Sequence, residues 1–345
     1  TMKLLVTGAA GFIGSYFTRY WLEHHPADEV VTLDALTYAG VRATVEELAG
    51  HPRHRFIEGS ICDAAVVGQA MAGCELVVHF AAETHVDRSI TNAAPFLRTN
   101  VEGTHTMLRC AAQSGVRRFV HMSTDEVCGP IVEGAHTESG PLRPRSPYAA
   151  SKAAGDLLVF AHQETYQLPA VIVRCTNVYG PRQLPEKFVP LSITNALEDR
   201  PLPIYGDGQQ RRAWLFVEDL CRAMELIAQR GEAGSIYNVG SVWEFANLDV
   251  ARMILQLLGK SQTLLTRVAD RPGHDWRYAL DDRRLRALGW TPQVTFEDGL
   301  QRTIEWYRTH CAWWGPLKER LREDPYHWLN RTARPGAGEP VGAAR

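Results

Sequence analysis

Three glycines at positions 8, 11 and 14 sit directly behind the short apolar run Lys3–Thr7 and leave this chain few ways to fold. The run reads as a strand. The stretch Gly8-Ala9-Ala10-Gly11-Phe12-Ile13-Gly14 then turns it into the helix-length segment Ile13–His24. Lacking a Cβ, glycine permits a tight turn and lets the backbone come close to a bound group. The start of a helix adds unspent N–H donors and a positive dipole end, which together suit a pyrophosphate. The spacing is GxxGxxG rather than GxGxxG, but the physics is the same.

Further along, apolar runs alternate with helical stretches. Val30–Asp34, Arg55–Glu58, Leu76–Phe80, Arg118–Ser123 and Ala170–Arg174 read as strands, with helices at Ala64–Met71, Asn100–Ser114 and Pro147–Tyr166 between them. Such alternation predicts an α/β fold, a Rossmann-type doubly wound parallel sheet. After Tyr179 the pattern loosens into Pro- and Gly-rich turns, with helices at Val189–Glu198, Val217–Arg230, Leu248–Leu258 and Thr295–Arg308. Residues 1–178 are therefore expected to form a dinucleotide domain, with segments around 212–243 returning to it. Residues 179–330 should be mainly a smaller α/β substrate lobe, and 331–345 a disordered tail.

Asp34 closes the second predicted strand. A carboxylate there accepts hydrogen bonds from the adenosine ribose and repels a 2′-phosphate, so NAD is expected rather than NADP. Asp63, behind the third strand, is a candidate for the adenine edge.

Tyr148 and Lys152 lie four apart, on one helix face. A lysine cation beside the phenol is expected to lower its pKa and allow phenolate to act as a base. Upstream, Ser123-Thr124 ends a strand and runs into Asp125-Glu126. Two adjacent carboxylates can hold unequal pKa values and divide the roles of acid and base.

This Ser/Thr, Tyr, Lys set behind GxxGxxG resembles the extended short-chain dehydrogenase/reductase family over roughly residues 3–310. Within it, Thr124-Asp125-Glu126 resembles the nucleotide-sugar 4,6-dehydratases. The resemblance implies Glu126 as the base that removes a C5 proton, Asp125 as the acid for the C6 hydroxyl, and NAD regenerated within each turnover. It implies dTDP-glucose as substrate, with UDP-glucose, or an epimerase or decarboxylase on the same scaffold, as alternatives. Cofactor contacts are implied for Gly8, Gly11, Phe12, Ile13, Gly14, Asp34, Thr37, Asp63, Ala81, Ala82, Thr99, Ser123, Tyr148 and Lys152. The substrate is assigned to His85, Thr124, Asn177, Glu186, Lys187, Tyr205, Arg212, Asn247, Arg271 and His274, with Arg212 rather than Arg211 on phosphate. The helices near Asn100 and Pro147 are expected, by the same resemblance, to form a four-helix homodimer interface.

The chain departs from the usual pattern at Cys128, where tyrosine commonly follows Asp-Glu-Val, and at Ala35, Val178 and Ala213. A formal net charge of -2 gives no reason to expect nucleic-acid or polybasic membrane contact. Seven widely spaced cysteines without CxxC fit reduced thiols in a cytoplasmic protein, and no metal site is expected. Trp313-Trp314 is expected to pack against the core.

Overall fold

The computed structural model describes residues 1–323. Strands β1 (Lys3–Thr7), β2 (Glu29–Asp34), β3 (His54–Glu58), β4 (Leu76–His79), β5 (Arg118–Met122) and β6 (Ala170–Cys175) fall where the apolar runs predict them. Every position of β6 is buried, Arg174 included. Parallel strands covered on both faces need continuous apolar runs rather than alternation. Six further strands follow: β7 (Asn177–Tyr179), β8 (Leu202–Tyr205), β9 (Arg211–Phe216), β10 (Ile236–Val239), β11 (Glu244–Ala246) and β12 (Leu265–Val268).

The main sheet has seven strands in the order β10-β6-β5-β4-β1-β2-β3, every pair parallel. From β1 the chain winds outward through β2 and β3, then crosses over to β4 and continues the other way. The crevice between the ends of β1 and β4 is therefore the switch point where such sheets bind ligands. Sheets β11-β9-β7 and β12-β8 belong to the second lobe.

The helices are α1 (Phe12–His24), α2 (Arg42–Glu46), α3 (Ala64–Met71), α4 (Val86–Thr91), α5 (Ala94–Phe96), α6 (Thr104–Ser114) and α7 (Pro147–Tyr166) in the first part of the chain. The second part adds α8 (Phe188–Leu197), α9 (Val217–Arg230), α10 (Asn247–Leu258), α11 (Arg283–Ala287), α12 (Phe296–Thr309) and α13 (Cys311–Glu323). Phe17 and Trp21 of α1 with Met224 and Ile227 of α9 cover one face of the main sheet. Met71 of α3, Met107 of α6 and Val159 of α7 cover the other. A separate core around Tyr179, Trp214, Ile254 and Leu300 holds the second lobe, and Trp314 joins it by donating its indole N–H to Tyr307 O.

Three features differ from the sequence reading. Residues Leu97–Gly103 form a π-helix ahead of α6, so the predicted helix starts earlier and is wound differently. A Cβ at Gly103 would lie 2.6 Å from Ile61 Cδ1, so a side chain there would push Ile61 aside in the loop after β3. Strand β10, only four residues long, escaped the period argument. Strand β8 contains Pro203, which argues against a central strand but is tolerated in a two-stranded edge pair. The tail expected to be disordered lies outside the described residues.

Candidate active site

The dinucleotide end is made mostly of backbone. Gly8 leaves β1 with φ 72°, and a Cβ there would stand 2.7 Å from Ala81 N. Gly8 and the segment Phe80-Ala81-Ala82 thus face each other across the switch point. A Cβ on Gly14 would lie 2.3 Å from Gly8 O. Gly11 precedes α1 without side-chain capping, so the N–H groups of Phe12, Ile13 and Gly14 are the free donors of the first turn. Asp34 ends β2. Its Oδ2 accepts from Ala10 N at 2.9 Å and its Oδ1 from Leu36 N at 2.8 Å. Burial raises its pKa against those two bonds. Thr37 follows on the same loop, where its side chain hydrogen-bonds Glu83. Asp63 serves the fold as well: its Oδ1 caps α3 by accepting from Ala65 N and Val66 N, leaving Oδ2 for an adenine contact. Thr99 lies in the π-helix beside Asn100, which donates to Glu83 O and Ser151 Oγ.

The reaction end is made of buried charge. Beyond β5, Ser123 N donates to Val173 O, and Thr124 caps a 3-10 turn over Asp125–Cys128. Ser146 Oγ accepts from Ala149 N to start α7, with Pro147 in its first turn. Tyr148 therefore sits at the helix mouth and Lys152 one turn further in, both buried.

Asp125 is pushed up to about 7, first by burial and then by Glu126, with Arg212 opposing. Thr124 Oγ1 donates to its Oδ1 at 3.2 Å, while its buried Oδ2 has no hydrogen-bond partner among the described residues. Burial also raises Glu126, held back by Arg271, Arg212 and Lys187. The phenol of Tyr148 is raised well above its ordinary value by burial and then by Glu126. The net direction is thus opposite to the one expected, with burial the largest cause. Lys152 Nζ instead donates to Met122 O at 2.7 Å, and burial brings the ammonium down to about 8.

Cations converge from the other lobe. Lys187, just ahead of α8, donates to Thr84 O at 3.2 Å. Its neighbour Glu186 is buried and accepts from Arg88 Nε at 3.3 Å. Arg212 points inward, donating to Asp275 O at 3.0 Å with its guanidinium 4.9 Å above the Tyr278 ring. Arg211 points outward to Glu244 at 2.6 Å. The two neighbours thus face opposite ways. Arg271 meets Asp87 Oδ1 at 3.4 Å, and Tyr205 donates its hydroxyl to Asp87 Oδ2 at 2.7 Å. His274 Nδ1 is 2.6 Å from Asp270 Oδ1, and burial followed by Arg271 pushes the imidazole down to about 4. Asn247 opens α10, with its N–H on Gln210 O. Asn177 on β7 keeps a buried Oδ1 without a hydrogen bond among the described residues, and His85 is buried at the start of α4.

Asp87 was not among the expected site residues, although it closes the segment Phe80–Asp87 that resembles the dehydratase stretch beside the nicotinamide and sugar; it bridges the lobes through Tyr205 and Arg271. Cys128, the unusual residue after Val127, packs with Val127, Ala153 and Leu142, its Sγ 3.9 Å from Arg174 Nη1.

Fold and site together define the class: an extended short-chain dehydrogenase/reductase. Residues 5–303 match the family model described as GDP-mannose 4,6 dehydratase, and the chain belongs to that family. It is 49% identical over 322 residues to the dTDP-glucose 4,6-dehydratase of Streptomyces niveus, covering 92% of this chain and 96% of that one. The crystal structure of DesIV, a dTDP-glucose 4,6-dehydratase from Streptomyces venezuelae solved with NAD bound, superposes with a TM-score of 0.90 at 51% identity, covering 92% of this chain and all of that one. A UDP-glucuronic acid 4-epimerase from Bacillus cereus with NAD bound is more distant, at 29% identity and a TM-score of 0.84, over 89% of this chain and 99% of that one.

Proposed function

We propose that this chain is an NAD-dependent dTDP-glucose 4,6-dehydratase, a hydro-lyase that forms dTDP-4-keto-6-deoxyglucose. The observation that carries the reading is the pair of buried Asp125 and half-buried Glu126, both raised in pKa, beside Tyr148 and within the field of Arg212, Arg271 and Lys187. An enzyme that only inverts a sugar centre through a ketone has no need of such a pair.

The residues fit NAD. Glycines clear the space at Gly8 and Gly14, α1 offers free N–H donors, and Asp34 places a carboxylate at the end of β2. The chemistry NAD supplies when bound is removal of hydride from C4 and its return to C6. The protein's own groups do the rest. Tyr148 takes the C4 hydroxyl proton as phenolate, the form that the Lys152 ammonium four residues along α7 and the Thr124 hydrogen bond favour against burial. A ketone at C4 acidifies the C5 proton, which Glu126 removes. Asp125, protonated below about 7, gives its proton to the departing C6 hydroxyl, which leaves as water. Glu126 then returns its proton to C5, and the proton that Tyr148 took from C4 replaces, by exchange through solvent, the one Asp125 gave up. Arg212 and Arg271 hold the diphosphate, with Asn247 and His274 beside them, and a fixed guanidinium fork suits its oxygens. Glu186 and Lys187 hold the sugar.

The chain divides on this reading into a cofactor domain over 1–178, rejoined by about 212–243, and a substrate lobe after 179. Exposed Leu97 and Leu157, with exposed Ala150 and Ala161 on α7, support a homodimer through this helical face. All seven cysteines are free, which supports a reducing, cytoplasmic setting. Incubation with dTDP-glucose should give the base-induced absorbance of a 4-keto-6-deoxy sugar. Product from UDP-glucose alone would move the substrate, and no product from either would remove the reading.

A further inference from the structure

Lys152 is one of five lysines in the chain, and it is buried where an ammonium needs a counter-charge. Its hydrogen bond goes to a neutral carbonyl, Met122 O on β5. Around it stand His79 on β4 and His121 on β5, both held neutral by burial, and the Cys175 thiol at the end of β6, which burial keeps protonated. Among the described residues, the carboxylate acting on it is Asp156, one turn along α7 on the same face. Asp156 is itself fully buried. Its Oδ2 accepts from Arg174 Nε on β6 at 3.1 Å, its Oδ1 lies 3.7 Å from His121 Nε2, and the Ser123 hydroxyl stands beside it. Gly155 lets α7 come this close to β5, since a Cβ there would stand 3.3 Å from His121 Nε2.

We propose that Asp156 is a positioning residue for the reaction: its carboxylate, paired with Arg174 and one turn along α7 from Lys152, keeps Lys152 an ammonium and so sets the alkaline limit of the enzyme. The inference rests on the reading of Lys152 as a catalytic group. Two cations on β6 and α7 compete for one buried anion, so removing either neighbour has an opposite effect on Lys152. Losing Asp156 strips its counter-charge. Losing Arg174 leaves Asp156 wholly to it.

Because there are only five lysines, side-chain carbon NMR on lysine-labelled protein resolves them without reference to turnover, with the Lys152 signal assigned as the one missing in Lys152→Arg. Asp156→Asn should move the Lys152 titration midpoint down by about one pH unit or more. Arg174→Gln should move it up. The alkaline limb of turnover should shift with each midpoint, while the low-pH plateau of Asp156→Asn stays near the parent value. Lost melting temperature in both variants with an unmoved midpoint would make the pair purely structural and overturn the proposal. Midpoints moving in the same direction would overturn it too. Where Asp156→Asn fails to fold, the upward shift in Arg174→Gln decides, and its absence counts against the proposal. Loss of dehydratase activity in the parent would sink the functional reading and leave the NMR result standing.

Discussion

The two ends of the site are built on opposite principles. At the dinucleotide end the protein offers gaps and backbone donors, and its carboxylates Asp34 and Asp63 each already accept two backbone hydrogen bonds. At the reaction end it sets acids side by side and leaves the buried Asp125 Oδ2 without a hydrogen bond among the described residues. Unsatisfied buried polar groups are costly, and they gather where protons must move. One end therefore holds by shape, and the other keeps charge ready for use.

Substitutions can break this contrast. Tyr148→Phe should cost the most, about 10³-fold in kcat, with no transient reduction of the cofactor seen at the NADH absorbance. Retained hydride transfer would contradict the role of Tyr148. Glu126→Gln should lower turnover about 10²-fold while the reduced cofactor accumulates, because C4 oxidation proceeds and C5 deprotonation does not. Full activity would remove Glu126 as the base. Arg212→Lys should raise KM for the nucleotide sugar about 10- to 100-fold, as a lost charge-assisted bond requires. Arg211→Lys, on the outward neighbour, should change it about two-fold or less. Equal effects would mean that the inward and outward assignment fails.

Gly14→Ala tests the shape end. Its Cβ would meet Gly8 O at 2.3 Å, and the strain should cost about 1–3 kcal/mol along with much of the bound NAD, read by melting and by cofactor content after purification. The smallest effect falls on stability. Asp125 has a folded pKa raised from 3.8 to about 7, so the native state binds the extra proton and stability falls as pH rises across that window. Asp125→Asn, inactive in elimination, should therefore melt higher than the parent at pH 8, with the difference closing toward pH 4. A variant melting lower at pH 8 would mean that the carboxylate supports the fold.

The same contrast explains what could be read in advance. Glycine spacing and an acid at a strand end are local signals, and Gly8, Gly14 and Asp34 stand where those signals put them. Strands β1, β2 and β4 to β6 were equally legible, since burial writes itself as apolar runs, and edge strand β3 showed itself only through Phe56-Ile57. The direction of Lys152 was not legible, because it depends on a carbonyl of β5 and a carboxylate of α7. Cys128 was visible as an oddity, but only packing shows it turned toward Arg174. The π-helix was hidden because local spacing does not distinguish it from an α-helix.

Asp34 carries a consequence for anyone who would re-engineer cofactor choice. The carboxylate that should disfavour a 2′-phosphate also ties the glycine turn, through Ala10 N, to the loop after β2, through Leu36 N. Exchanging it for a neutral or basic side chain to admit NADP would unfasten both backbone segments at once. A successful redesign has to supply two replacement acceptors before it gains a new cofactor, so the path between the two dinucleotides runs through a loosened loop rather than a single substitution.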